Sequence, residues 1–301
     1  MTTGFLWHEL YAWHDTGTGA RVMPASLTVQ PLGHIESAEG KRRIRNLVEV
    51  SGLIDAYALV RPPGHHAEKD QGRGFCIFGN TALAAMHARQ ARGLSRVAIV
   101  DWDVHHGNGT EHAFYSDPTL LTLSIHQDNN YPPASGAITD TGDGAGHGYN
   151  INIPLPPGSG VGAYVATFER VVAPALTAFR PELILIASGL DASTMDPIAS
   201  MMMTSEGYRT LTRVVLDVSG DVCGGRVVAC HEGGYSPAYV PYCGLAIIEE
   251  LAGIRTGPDD PLLGLLAGFG GQEIEPQQEA VVQEAAKLAA GLMPAAHRAR
   301  D

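Results

Sequence analysis

The chain has 301 residues, 45% of them hydrophobic and 17% charged, which is a globular composition with room for one or two domains and a full core. Its 20 Lys and Arg face 32 Asp and Glu, a net charge of −12, which argues against direct nucleic-acid binding. The four cysteines form no CxxC, residues 1–10 have neither a basic nor an apolar leader region, and no apolar run approaches the ~20 residues of a membrane span, so a soluble, reduced, cytoplasmic protein with no membrane partner is expected.

Taken in chain order, a strand is predicted at 56–60, a helix at 81–92, and strands at 97–100, 120–125 and 150–154. A helix at 163–179, a strand at 183–187, a helix at 205–219, a strand at 226–229 and a helix at 277–292 follow. Four of the inner runs are near-continuous Val, Ile, Leu and Ala, as suits strands covered on both faces of a parallel sheet. The alternation predicts an α/β fold with a central, mainly parallel sheet. With no internal repeat and no low-complexity linker, one domain over 1–301 is expected.

Polar residues follow these strands. RPPGHH comes after the first, DWDVHHGNG after 97–100, SIH within and after 120–125, SGLD after 183–187 and CHEGGY after 226–229. In open α/β sheets ligands bind beyond the carboxyl ends of the strands, so five strands deliver ionisable groups to one edge.

Asp103 and His105 stand two apart, and in extended chain i and i+2 point the same way. Asp191 supplies a third group from another strand end. An isolated Asp-x-His is more often a turn, but three ligands with an open fourth position make a catalytic zinc site. The same oxygen and imidazole set suits Fe(II) or Mn(II). His65 and His66 follow a stiff Pro-Pro-Gly turn. Neighbouring imidazoles push their pKa values apart, leaving one base and one acid for water and a leaving amine. Asp101 and Asn108 are the candidates for setting their tautomers. Tyr235, after Gly233 and Gly234, can donate to a carbonyl oxygen that is becoming an oxyanion.

Other features are set aside. The glycine-rich 142–148 stretch precedes an extended segment and not a helix, so it fails as a dinucleotide loop. Ser188 lacks a nucleophile elbow. Met201, Met202 and Met203 read as packing. His8, His14 and His34 form no usable spacing.

The blocks RPPGHH, DWDVHHGNGT, LSIHQD, SGLDA and HEGGY resemble the zinc-dependent histone deacetylase superfamily, and within it class II and the bacterial histone deacetylase-like and acetylpolyamine amidohydrolases. The likeness runs over about 56–253, with a related-looking stretch at 4–54. It implies a single-domain, three-layer, arginase/deacetylase-like fold with its active site at the carboxyl ends of the strands. It implies zinc on Asp103, His105 and Asp191, and acid/base histidines His65 and His66 oriented by Asp101 and Asn108. Tyr235 is then the carbonyl polariser, and Phe75 and Tyr131 line an acyl-lysine tunnel. Structural potassium is implied at Asp101, Ser124 and Ile125 with Asp103 and His105, and at Phe114, Asp117, Leu120 and Tyr149. The implied substrates are acetylated lysine peptides or acetylated polyamines. Relative to the family the chain is shortened between about 55 and 57, where several dozen residues are expected. Two further readings stand beside the hydrolase: an arginase-like dinuclear manganese enzyme, and a non-catalytic deacetylase-fold binding module or homo-oligomer subunit.

Overall fold

The computed structural model describes residues 6–14, 19–20, 23–24, 34–51 and 57–292. The predicted shortening at about 55–57 falls largely outside them, as does Ala56. Near the amino terminus β1 (Gly19–Ala20) and β2 (Met23–Pro24) form a small antiparallel pair. The framework is a five-stranded sheet of β3 (Val97–Asp101), β4 (Leu120–Gln127), β5 (Asn150–Leu155), β6 (Leu183–Ser188) and β7 (Val227–His231). Their order is β5-β4-β3-β6-β7 and every pairing is parallel.

The sheet is the middle of three layers. Val97 and Ile99 of β3 pack with Ala82, Ala85 and Ala88 of α2 (Asn80–Gln90) and Phe114 of α3 (Asn108–Phe114). Ala98 and Val100 point the other way. They join a larger core with residues of α4 (Val161–Thr167), α5 (Ala173–Phe179), α6 (Ser205–Cys223), α7 (Val240–Ala252) and α9 (Pro276–Ala290). Side chains alternate across a strand, so a continuous apolar run feeds both layers. Each fully buried Val, Leu or Ile contributes roughly 1.5–3 kcal/mol.

The chain departs from expectation in four places. The first predicted strand forms no ladder of its own. Ala58 makes single bridges to Leu6 and Cys230, because Pro62 and Pro63 carry no N–H to extend a ladder. The predicted 163–179 helix is interrupted by a π-helical turn, Phe168–Val172. Pro174 lies just beyond it, and its missing N–H and ring clash disfavour regular α geometry there. Helix α6 runs to Cys223, capped by the Thr204 hydroxyl at one end and by left-handed Gly224 at the other. Helices α1 (Ala38–Ser51), α3, α7 and the short α8 (Leu263–Leu266) were not expected. Helix α7 is mostly buried and apolar nearly all round, so it carries little amphipathic signal.

From β3 the chain steps outward to β4 and β5, then returns to the other side of β3 as β6 and β7. The order therefore reverses between β3 and β6, and a crevice opens there beyond their carboxyl ends.

Candidate active site

Of the strands flanking that crevice, β3 ends in Asp101, and Asp191 follows three residues after the end of β6. After β3 the chain stays alternating. Trp102 and Val104 turn into the core, which leaves Asp101, Asp103 and His105 for the opposite side. The indole N–H of Trp102 donates to Ser188 Oγ at 3.2 Å. His105 Nδ1 lies 2.9 Å from Asp103 Oδ1 and 3.2 Å from Asp191 Oδ2. One potential ligand atom from each of Asp103, His105 and Asp191 falls within 4.8 Å of the others, and all three residues are buried.

The remaining oxygens are held from behind. Val104 N–H donates to Asp191 Oδ1 at 2.9 Å, and Gly233 N–H to Asp103 Oδ2 at 2.8 Å. Asp191 Oδ2 is buried and, beside its 3.2 Å ion-pair contact with His105, accepts no hydrogen bond. A Cβ on Gly233 would stand 2.0 Å from that oxygen, so only glycine brings its amide this close. Burial raises the pKa of Asp191 and the charge on Asp103 adds to the rise. Two carboxylates, an imidazole, an orphaned oxygen and no thiolate fit a divalent Zn, Fe or Mn ion.

His65 and His66 sit above this group, their ring centroids 4.0 Å apart. His65 Nδ1 lies 2.9 Å from Asp101 Oδ2, and its Nε2 is 3.6 Å from Asp103 Oδ1. His66 Nδ1 lies 2.8 Å from Asn108 Oδ1, while Asn108 Nδ2 donates to Glu68 Oε1 at 2.6 Å. These partners separate the two rings electrostatically. Burial opposes a charge on His65, but the carboxylates of Asp103 and Asp101 outweigh it and hold its pKa well above the usual value. Burial and the positive charges of His65 and His105 push His66 well below it.

A cavity of about 420 Å³ opens over the group, lined by His66, Gly74, Phe75, His105, Asn130, Tyr131, Ile198 and Tyr235. Phe75 has φ 66° and meets Tyr235 edge-on at 5.9 Å. Tyr131 meets His66 edge-on at 4.9 Å. Gly74 packs so tightly that a Cβ would lie 2.2 Å from His66 Cδ2. The amide of Tyr235 is fixed by Asp196 Oδ2 at 2.9 Å.

The structure thus brings the eight predicted residues Asp101, Asp103, His105, Asp191, His65, His66, Asn108 and Tyr235 to one crevice, with Phe75 and Tyr131 on the cavity wall. Asp101 pairs in register with Ser124. Ser124 Oγ accepts from Gly107 N–H at 3.3 Å, and Ile125 is core. In the second predicted potassium set, the carbonyls of Phe114 and Asp117 accept turn hydrogen bonds from Asp117 and Leu120, and Tyr149 packs edge-on against Phe179. Stretch 142–148 forms a short 3-10 turn at Gly144–Gly146 before β5. Met201 and Met203 are core.

Sequence reasoning missed Glu68, Asp196, Glu232 and His34. His34 packs edge-on against Phe75 at 5.0 Å. Glu232 Oε2 accepts N–H bonds from Gly64 and His65 at 2.5 and 3.1 Å. Glu68 lies two residues from His66 and Glu232 three from Tyr235, but the partners of Glu232 lie far off in the chain. Asp196 and His34 likewise act across long sequence separations with no local signal.

The histone deacetylase domain family matches residues 38–251. A histone deacetylase-like amidohydrolase of Pseudomonas aeruginosa is 39% identical over 336 aligned positions, covering 86% of this chain and 88% of its own length. Histone deacetylase 14, chloroplastic, of Arabidopsis thaliana is 47% identical over 180 residues, 60% of this chain, and the match spans 42% of that relative. The crystal structure of the HDA15 HD domain superposes with a TM-score of 0.65 at 32% identity, covering 85% of this chain and 69% of that one.

Proposed function

This chain belongs to the histone deacetylase domain family of hydrolases, and from that premise we propose that it hydrolyses an acetyl amide on a lysine side chain or a polyamine. Zinc is the proposed metal, with Fe(II) or Mn(II) as substitutes, held by Asp103, His105 and Asp191. The observation that carries the reading is convergence: His66, His105 and Tyr235 line one cavity directly beside a buried metal-capable triad. When bound, the metal supplies a Lewis acid that polarises the amide carbonyl and acidifies water.

The chain's own residues do the rest. His66 is kept neutral and faces the cavity. With its Nδ1 proton donated to Asn108, it presents Nε2 to take a proton from the attacking water. It returns that proton to the amine as the C–N bond breaks, so that acetate and a free amine leave. His65 stays cationic against Asp101 and places fixed positive charge behind the reaction. Burial holds the Tyr235 phenol protonated, ready to donate to the carbonyl oxygen as charge gathers there. Phe75 and Tyr131 sheathe the aliphatic stem of the substrate and exclude water.

Structural potassium beside Asp101, Ser124 and Ile125 belongs to the same proposal. Among the described residues Asp103, His105 and Asp191 are the group able to hold a metal, which favours a mononuclear centre over an arginase-like pair. The proposal treats residues 1–301 as one shortened deacetylase unit. Its support is the 336-position alignment drawn from 86% of 301 residues, which leaves dozens of the relative's residues without a counterpart. A cytoplasmic location is proposed on the four buried free thiols. Among the described residues no helix is long and apolar enough to cross a membrane.

The test is zinc content measured together with acetate release from an acetyl-lysine peptide and an acetylpolyamine. One zinc per chain with chelator-sensitive release is expected, and the rate ratio assigns the substrate class. A folded, metal-loaded protein that releases acetate from neither overturns the proposal in favour of a binding module.

A further inference from the structure

We infer that Glu232 is a positioning residue that locks the acid/base histidine turn to the turn carrying Tyr235; the inference rests on the deacetylase reading above. Glu232 follows β7, is wholly buried, and stands three residues before Tyr235. Its backbone N–H donates to Ser188 O at 3.1 Å, which ties it to the end of β6. Its side chain reaches across the crevice. Oε2 accepts from Gly64 N–H at 2.5 Å and His65 N–H at 3.1 Å, and Oε1 accepts from the Thr81 hydroxyl at 3.3 Å. One carboxylate therefore joins three elements: the Pro-Pro-Gly turn, the first turn of α2 and the exit of β7.

The carbonyls of the turn are held by Asn80, Ala67, Gly109 and Thr110, but its two N–H donors, Gly64 and His65, both go to Glu232. Pro62 and Pro63 have no N–H to give. Gly64 has no side chain, and a Cβ there would stand 2.4 Å from Asn80 N, so its shape is set by backbone partners. Gly64 N–H and His65 N–H lie inside the protein, where an unmet donor costs about 1–3 kcal/mol. Glu232 meets both with a single oxygen. Because its own backbone leads within three residues to Tyr235, the proton-transfer group and the phenol keep one spacing.

The test compares Glu232→Ala with Glu232→Gln. Glutamine keeps an oxygen toward the two amides and turns its NH2 to the Thr81 hydroxyl, so the clamp survives without the charge. Alanine removes it. With metal content and Tm measured alongside, Glu232→Ala is expected to lose kcat by ~10- to 100-fold with KM within about twofold, and Glu232→Gln to recover kcat to within about threefold. Amide hydrogen exchange at Gly64 and His65 should quicken in alanine and stay slow in glutamine. A folded, metal-loaded Glu232→Ala with wild-type kcat overturns the inference, as does a Glu232→Gln impaired as badly as alanine. If alanine does not fold, Glu232→Asp, one methylene short, must show the same loss of kcat, and wild-type turnover there overturns it. A wild-type protein that releases no acetate overturns both readings. An active wild type beside an unimpaired variant overturns the clamp alone.

Discussion

The amide oxygen of Asn108 lies 2.8 Å from Nδ1 of His66, while the amide nitrogen of the same side chain donates to Glu68. That second bond fixes which way the Asn108 amide faces. Its oxygen then meets a ring nitrogen that must carry a proton, so Nε2 of neutral His66 holds the lone pair. Its neighbour His65 leans on a carboxylate, Asp101, at 2.9 Å. Two adjacent, chemically identical side chains thus acquire different preferred protonation states, His65 cationic and His66 neutral.

Asn108→Ala therefore removes the tautomer lock without touching the metal-capable triad. A kcat loss of ~10- to 100-fold is expected in steady-state assays, with bound zinc unchanged by elemental analysis. Turnover equal to wild type would refute the assigned role.

Tyr235→Phe keeps the ring against Phe75 and His105 but deletes the donor to the developing oxyanion. The loss of one such donor is worth about 10²–10³ in kcat. The variant should retain its metal, its Tm and its substrate affinity. A loss confined to KM would instead make Tyr235 part of the tunnel wall.

Metal uptake should release protons. Burial lowers the pKa of His105, but its contacts with the carboxylates of Asp103 and Asp191 outweigh it and hold the metal-free value at about 10. At pH 7 the ring then carries a proton that a metal ion must displace. Calorimetry in buffers of different ionisation enthalpy should show about one proton released per metal, and affinity should climb as pH rises toward 10. The sign for stability is the reverse. A raised folded pKa stabilises the metal-free chain fully below 6.5, and that contribution fades as pH rises through about 10. Buffer-independent heats would show that His105 is already neutral.

Much of this arrangement is legible in the sequence because it is local. The Trp102–Val104 alternation turns Asp103 and His105 to one side, and continuous apolar runs announce β3, β4, β6 and β7. The separate roles of His65 and His66 are less legible, since they depend on which partner each ring reaches, 36 and 42 residues away. Glu232 is hidden further. It stands in plain view within HEGGY, but its partners are backbone amides 167 and 168 residues distant, and amides leave no trace in a sequence. Helix α7 is hidden for a different reason, because burial on nearly all sides erases its period.

The amino-terminal region offers a stability test at a residue outside the metal-capable triad and the acid/base pair. Glu36, wholly buried, lies 2.7 Å from Arg61 Nη2 and 3.2 Å from Lys41 Nζ. Burial opposes its charge, but Lys41 and Arg61 outweigh burial and lower its pKa below 4.5. Lys41 in turn lies 5.7 Å over the Tyr235 ring, so this cluster joins α1 to the turn bearing RPPGHH and to the catalytic wall. Removing one member of a buried ion pair strands the other charge, at a cost of about 3–5 kcal/mol. Glu36→Gln should therefore lower stability in urea melts by about that much, more than the usual effect of a surface substitution. The sign with pH follows from a lowered folded pKa. The stabilisation is present above 4.5 and is lost as pH falls below it. Wild-type stability should drop through that window, and the Gln variant should show a shallower fall. Equal stability of the two at pH 7 would mean that Lys41 and Arg61 find other partners when Glu36 is neutralised.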